Sequence, residues 1–209
     1  MDLAKFLDLI QTSELHFTRL DRLEDPYEHA LQTAACRREP NHGETAYVNC
    51  WVLSEYESAA MWRIYGGKSG IAIQSSRLRV GSVIDSPWKL EGIGGAAGSA
   101  FGPVQYLDEK RIAELLATTG ESPRNVVPTF DKRLSFSYEH EIRLEIRLRG
   151  EGQERLHVRL AVNLNNLIQR IFVSPTAPAW IADVARRAVE KYEMEKEVIH
   201  SSLLSVTLV

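Results

Sequence analysis

The chain has only two cysteines, Cys36 and Cys50, in 209 residues. Two thiols are too few for a disulfide framework, and their spacing fits no zinc motif, so a reducing, cytoplasmic setting is the expectation. No apolar run approaches the roughly 20 residues that a membrane helix needs. The opening MDLAKFLDLIQ carries acids and lacks a basic leader with a cleavage site, which argues against a secretory signal. A basic surplus is also missing: 25 Lys and Arg stand against 28 Asp and Glu, for a net charge of -3. Nucleic acid is therefore not an expected partner, because neutralising phosphates supplies most of such affinity. The six histidines are scattered at His16, His29, His42, His140, His157 and His200, and no HExxH, CxxC or GxSxG spacing occurs. Neither a metal site nor a serine hydrolase is expected. Gly66-Gly67-Lys68-Ser69-Gly70 lacks the Walker spacing and leads into a strand, so it is a poor phosphate loop.

What remains is a chain with 44% hydrophobic residues, enough to bury a core, and no internal repeat. Residues 1–209 read as one domain. Residues 2–11 form an amphipathic helix with Leu3, Phe6, Leu7 and Ile10 on one face, and Leu15 to Thr18 a short strand. Asp25-Pro26-Tyr27-Glu28 starts a helix reaching about Arg37 and ending at Pro40 to Gly43, with Asp25 as cap and Glu28 reaching back to it. Ala46 to Leu53 is strand-like. Ser54 to Glu57 is a second capping box, for a helix through Tyr65 that Gly66-Gly67 ends. Strands follow at Gly70 to Gln74 and Val104 to Tyr106, and Asp108 caps a helix to about Thr118. Between them, Gly92 to Gly102 is rich in glycine and reads as a mobile loop, a candidate lid. Glu121 to Pro128 is a turn-rich connection. Ile171 to Val173 is a strand, Pro178 to Tyr192 a helix with a Trp180, Val184, Ala188 and Tyr192 stripe, and Leu203 to Val209 a closing edge strand.

The clearest pattern starts at Phe136. In SYEHEIRLEIRLRG the even positions Tyr138, His140, Ile142, Leu144, Ile146 and Leu148 are mainly apolar, while Glu139, Glu141, Arg143, Glu145 and Arg147 are charged. Such alternation predicts a strand with one packed face and one charged face. Leu156 to Val162 alternates again after a turn at Gly150 to Gln153, so a hairpin with Glu145 opposite Arg159 and Arg147 opposite His157 is expected. The fold class is α+β: a mixed, largely antiparallel central sheet with a charged-face hairpin over 136–162 and flanking helices.

On one strand face, Glu139, Glu141 and Arg143 form a row of acid, acid and base. Arg143 favours ionisation of its neighbour, and two close acids split their pKa values. That arrangement suits chemistry at a ribose, with one carboxylate stabilising developing positive charge and the other orienting a nucleophile. The plain alternative is a solvated strand face balanced by ion pairs. Trp62 and Tyr65, three apart on a helix, offer an aromatic wall for a planar base, or else belong to the core. Arg19 and Tyr138 complete the candidate substrate-binding set, with surface exposure the alternative for Arg19.

The ordered pieces FTRLDRLEDPYE, CWVLSEYESAAMWRIYGGKSGIAI, VQY and KRLSFSYEHEIRL resemble a bacterial and phage family, the domain of unknown function numbered 2971. The matching positions are Asp25, Pro26, Tyr27 and Glu28; Met61, Trp62 and Tyr65; Gly70; and Tyr138, Glu139, Glu141 and Arg143. The likeness spans roughly residues 10–150 and implies that the charged strand and the Trp/Tyr helix belong to one site. The Glu-x-Glu pair is also similar to the catalytic strand of arginine-type ADP-ribosyltransferases, although no Ser-Thr-Ser strand is evident here. By that analogy the chain is a nucleotide- or NAD-directed enzyme, a transferase or glycohydrolase of toxin or phage-defence type. NAD would be a substrate, with no prosthetic group. Glu141 would stabilise the ribose, Glu139 would orient the nucleophile and Arg143 would fix the carboxylates. Two other classes compete: a non-catalytic ligand sensor or immunity module using the same pocket, and a protein-binding domain using an exposed strand face.

Overall fold

The computed structural model describes residues 1–30, 45–84, 96–117, 128–148 and 155–205. Expectations for the helix end near Arg37, the turns at 40–43 and 150–153, the connection at 121–127, residues 92–95 and residues 206–209 lie outside these segments. Ten strands form among the described residues: β1 (Glu14–Arg19), β2 (Thr45–Val52), β3 (Ile71–Gln74), β4 (Ala96–Pro103), β5 (Gln105–Leu107), β6 (Asp131–Arg133), β7 (Glu141–Leu148), β8 (His157–Ala161), β9 (Arg170–Val173) and β10 (Val198–His200). The α+β class holds. The chain divides into two compact units.

The first unit gathers Met1–Leu15, Ser54–Val83 and Ala161–Val209. Its sheet runs β10-β9-β3, with β9 parallel to β10 and antiparallel to β3. The helix Leu3–Thr12 is capped by Asp2, whose carboxylate accepts from Lys5 N–H at 2.8 Å. It packs its Phe6, Leu9 and Ile10 face on the helix Ala179–Lys191. That second helix buries Ile181, Ala182, Ala185, Ala188 and Val189, not the expected Trp180 stripe. Trp180 is exposed: the small residues at 182, 185 and 188 let the helix lie close to its neighbours. Leu203 and Leu204 make a turn, so the closing strand is β10 instead. The helix expected from Ser54 starts at Ser58, which caps Ala59–Met61, and continues as a π-helical turn over Trp62–Gly66. Ser54 caps only a local turn, accepting from Tyr56 N–H at 3.2 Å. The π turn brings Gly66 against Gly70, where a Cβ on Gly70 would lie 2.6 Å from the Gly66 Cα.

The second unit comprises His16–Leu53 and Ile84–Leu160. Its main sheet runs β4-β7-β2-β1-β8, with antiparallel ladders between β4 and β7, β7 and β2, and β2 and β1. A short parallel pair, β5 with β6, stands apart. The 136–162 hairpin is not formed. β7 pairs with β2 and β4, placing Glu145 opposite Val48 and Ala100, while β8 adds to β1 at the far edge. The apolar β2 is the better neighbour because β7 needs burial on both sides. The strand also starts later than expected, at Glu141: Leu134–Glu139 is a 3₁₀ turn closed by His140 in left-handed conformation (φ 44°, ψ 50°).

The glycine-rich stretch is corrected too, since Ala96–Pro103 is an edge strand and not a lid loop. Its small residues answer to β7. Gly102 is the partner of Arg143, and a Cβ on Gly98 would sit 3.3 Å from Arg147 Nη2. The Arg147 side chain thus takes the room that β4 gives up at Gly98, and the Phe130 ring takes that at Gly102.

Gly70→Ala is expected to cost about 1–3 kcal/mol, because rigid backbone rather than a side chain must move. Chemical denaturation checks it. An unchanged unfolding midpoint would contradict the close Gly66–Gly70 approach.

Candidate functional site

The charged face of β7 is not wet. Glu141, Arg143 and Glu145 are all buried, with Arg143 and Glu145 at 0% exposure. The solvated-face alternative therefore does not hold for these three residues. Burying so many charges is costly unless each finds partners, and the segments packed over the sheet supply them.

Arg143 is the hub. Its Nε donates to Glu141 Oε1 at 2.6 Å, Nη2 to Glu141 Oε2 at 3.0 Å, and Nη1 to the Thr129 carbonyl at 2.6 Å. Nη2 also donates to Glu28 Oε1. Lys132 Nζ bridges the two acids of the motif, donating to Glu139 Oε2 at 2.5 Å and Glu141 Oε2 at 3.1 Å. The left-handed His140 between them lets Glu139 and Glu141 converge on one ammonium although they do not share a strand. Backbone bonds hold the frame: Leu53 N–H donates to the His140 carbonyl at 2.8 Å, and Glu141 N–H to the Tyr106 hydroxyl at 2.7 Å. Farther along the face, Thr129 Oγ1 donates to Glu145 Oε2 at 2.8 Å, and Arg147 pairs with Glu145.

Asp25 caps as expected, accepting from Tyr27 N–H at 3.0 Å, but its buried carboxylate is also held by Arg133 at 2.9 Å. Glu28 was expected to reach back to the cap, and it pairs with Arg143. The rings beside the network are those of Tyr27 and Phe136. The Arg133 guanidinium lies 4.6 Å from the Tyr27 centroid and Lys132 Nζ 4.8 Å from that of Phe136.

Burial alone would raise the Glu141 carboxyl. The hydrogen bonds and charge of Arg143, with Lys132, outweigh it and bring the pKa to about 2. Glu28 goes the other way: burial raises it despite Arg143 and Lys132. Lys132 and Arg143 lose by burial but gain more from the acids, so both are held charged. Cys50, the β2 partner of Arg143, has its thiol pushed well up by desolvation and then by the Glu141 charge, so it is held as a neutral thiol.

The other expected residues have settings of their own. Arg19 ends β1 and forks onto Asp21 at 2.6 and 2.8 Å. Tyr138 is 45% exposed on the 3₁₀ turn, its ring 6.4 Å from that of Phe136. Trp62 and Tyr65 belong to the first unit. Trp62 is 9% exposed and donates from Nε1 to Glu57 at 2.8 Å, whereas Tyr65 is exposed. Lys132, Arg133, Thr129 and Cys50 were not read as site residues, although Lys132 and Arg133 open the KRLSFSYEHEIRL motif. Their signal was charge balance, since three acids on or near one face need more than one cation. Among the described residues, no cluster of three or more His, Cys, Asp or Glu is suited to hold a metal ion, and no helix is long and apolar enough to cross a membrane.

No family model, curated protein or solved structure matches the chain. The likeness to the family numbered 2971 accordingly rests on its short motifs.

The Glu141 shift sets an acid limb of stability. Its folded value lies below the ordinary 4.5, so its contribution is complete above 4.5 and is lost as pH falls toward 2. The raised Glu28 acts with opposite sign, costing stability as pH rises past its ordinary value. Wild type should lose on the order of 3 kcal/mol across the Glu141 window, and Glu141→Gln should be less stable at neutral pH with a flatter acid limb. Urea unfolding at a series of pH values reads both slopes, and parallel slopes would refute the assignment.

Proposed function

We propose that the second unit is a non-catalytic small-molecule binding module whose charged strand is an internal ion clamp. One observation carries this reading: the Glu141 carboxylate is held by three charge-assisted donors. A carboxylate offers about four lone-pair sites. Glu141 receives Arg143 Nε, Arg143 Nη2 and Lys132 Nζ. Its charge is already met by two cations, and a group ionised down to about 2 is a poor proton acceptor at neutral pH. Glu139 is likewise committed to Lys132. A fixed, neutralised framework is what a binding scaffold requires, because it positions a site without reacting.

The NAD-directed enzyme is the second reading, favoured by one feature. Glu28 and Glu141 flank the same guanidinium with pKa values pushed in opposite directions, the pattern of an acid and base pair. Under it Glu28 would be the proton carrier and Arg143 would position both carboxylates.

Incubating the purified chain with NAD separates the two. The clamp predicts no nicotinamide release by wild type, and for Glu141→Gln a lowered melting temperature as the main effect. Nicotinamide release by wild type that Glu28→Gln abolishes, with folding retained, would overturn the binding-module reading.

A further inference from the structure

A cavity of about 220 Å³ lies in the second unit, lined by Phe101, Gly102, Pro103, Gln105, Phe130 and Asp131, with Ala100 at its margin. It opens where the edge strand β4 turns into β5, against β6. Asp131 is the one ionisable residue among the described lining and is only 5% exposed. Among the described residues, no donor hydrogen-bonds its carboxylate. The other buried carboxylates described in this unit, from Asp25 to Glu145, have a cationic or hydroxyl partner. Two guanidiniums act on Asp131 from a distance: Arg111, from the helix Glu109–Ala117, which pairs with Glu114 at 3.2 Å, and Arg143, which holds Glu141 and Glu28.

An aromatic ring stands with this carboxylate. The Phe130 ring packs over Gly102, 3.7 Å from where a Cβ would be, and both residues line the cavity. The face of an aromatic ring attracts cations, and a buried carboxylate beside it gains from a directly bonded counter-charge. We propose that this cavity binds a small organic cation, an ammonium on a compact apolar body, with Asp131 as the counter-ion and Phe130 as the ring wall. This deepens the binding-module reading and rests on it. A carboxylate that no described donor bonds is the feature that sets the cavity apart, because a pocket for a neutral or anionic ligand would gain nothing from it.

Burial raises Asp131 to about 6, against the weaker pull of Arg111 and Arg143. A cation binds the ionised form, so affinity should be full near neutrality and fall as pH drops through that value.

Benzylamine is the probe, benzyl alcohol its neutral match, and calorimetry on the full chain the readout. Benzylamine should bind at least tenfold tighter than benzyl alcohol at pH 7, and about tenfold less tightly at pH 5 than at pH 7. Asp131→Asn keeps the shape and removes a desolvated charge, so it should melt no lower than wild type while losing at least tenfold in affinity. Phe130→Leu should lose severalfold. Equal binding of the amine and the alcohol, or undiminished binding by a folded Asp131→Asn, would overturn the assignment. A chain that leaves NAD intact yet ignores benzylamine rejects the cation site alone, whereas NAD cleavage by wild type rejects the binding-module reading itself.

Discussion

A guanidinium with no solvent contact lies on β7, between β4 and β2 of the five-stranded sheet, and the charged side chains of the second unit gather around it. Arg143 cannot lose its proton, so its charge must be met inside the protein. It is met from three places in the sequence: Glu28 from the segment after β1, the Thr129 carbonyl from the segment before β6, and Glu141 from its own strand. Lys132 then balances the acids drawn in around it. Such a network adds little net stability compared with an apolar core of the same shape, but breaking it leaves an unpaired buried ion. The network ties residues 25–28 and 129–139 to the charged face of β7.

The same constraint explains the sheet order. A strand charged on one face and apolar on the other would ordinarily lie at a surface. β7 is flanked on both sides, and small neighbours make that possible, with Gly102 and Cys50 beside Arg143 and Ala100 and Val48 beside Glu145. An alternating sequence thus marks a half-buried strand only where nothing covers the charged side.

Much of this was legible in the sequence. Helix starts at Asp2, Asp25 and Asp108, and strands β2, β3, β5, β8 and β9, follow from caps and local patterns that tertiary contacts do not override. The importance of Glu139, Glu141 and Arg143 as a group was legible from their spacing. Their surroundings were not. Period-two alternation says which residues share a face, but not whether another segment lies over it, and the cover here comes from residues more than a hundred positions away in Glu28. The glycines of 96–103 misled for the same reason: locally they signal a flexible loop, while in the sheet they are clearance for Arg147 and Phe130. Asp131 carried no local signal, since an isolated acid before a basic pair looks like any surface residue.

The clamp is tested most directly by a double-mutant cycle on Glu28→Gln and Arg143→Met, read by equilibrium denaturation at neutral pH. If the pair bridges distant segments inside the fold, the two losses will fall short of additivity, with a coupling of about 1–3 kcal/mol. Strictly additive losses would mean that Glu28 and Arg143 do not depend on one another, and the clamp would have to be abandoned.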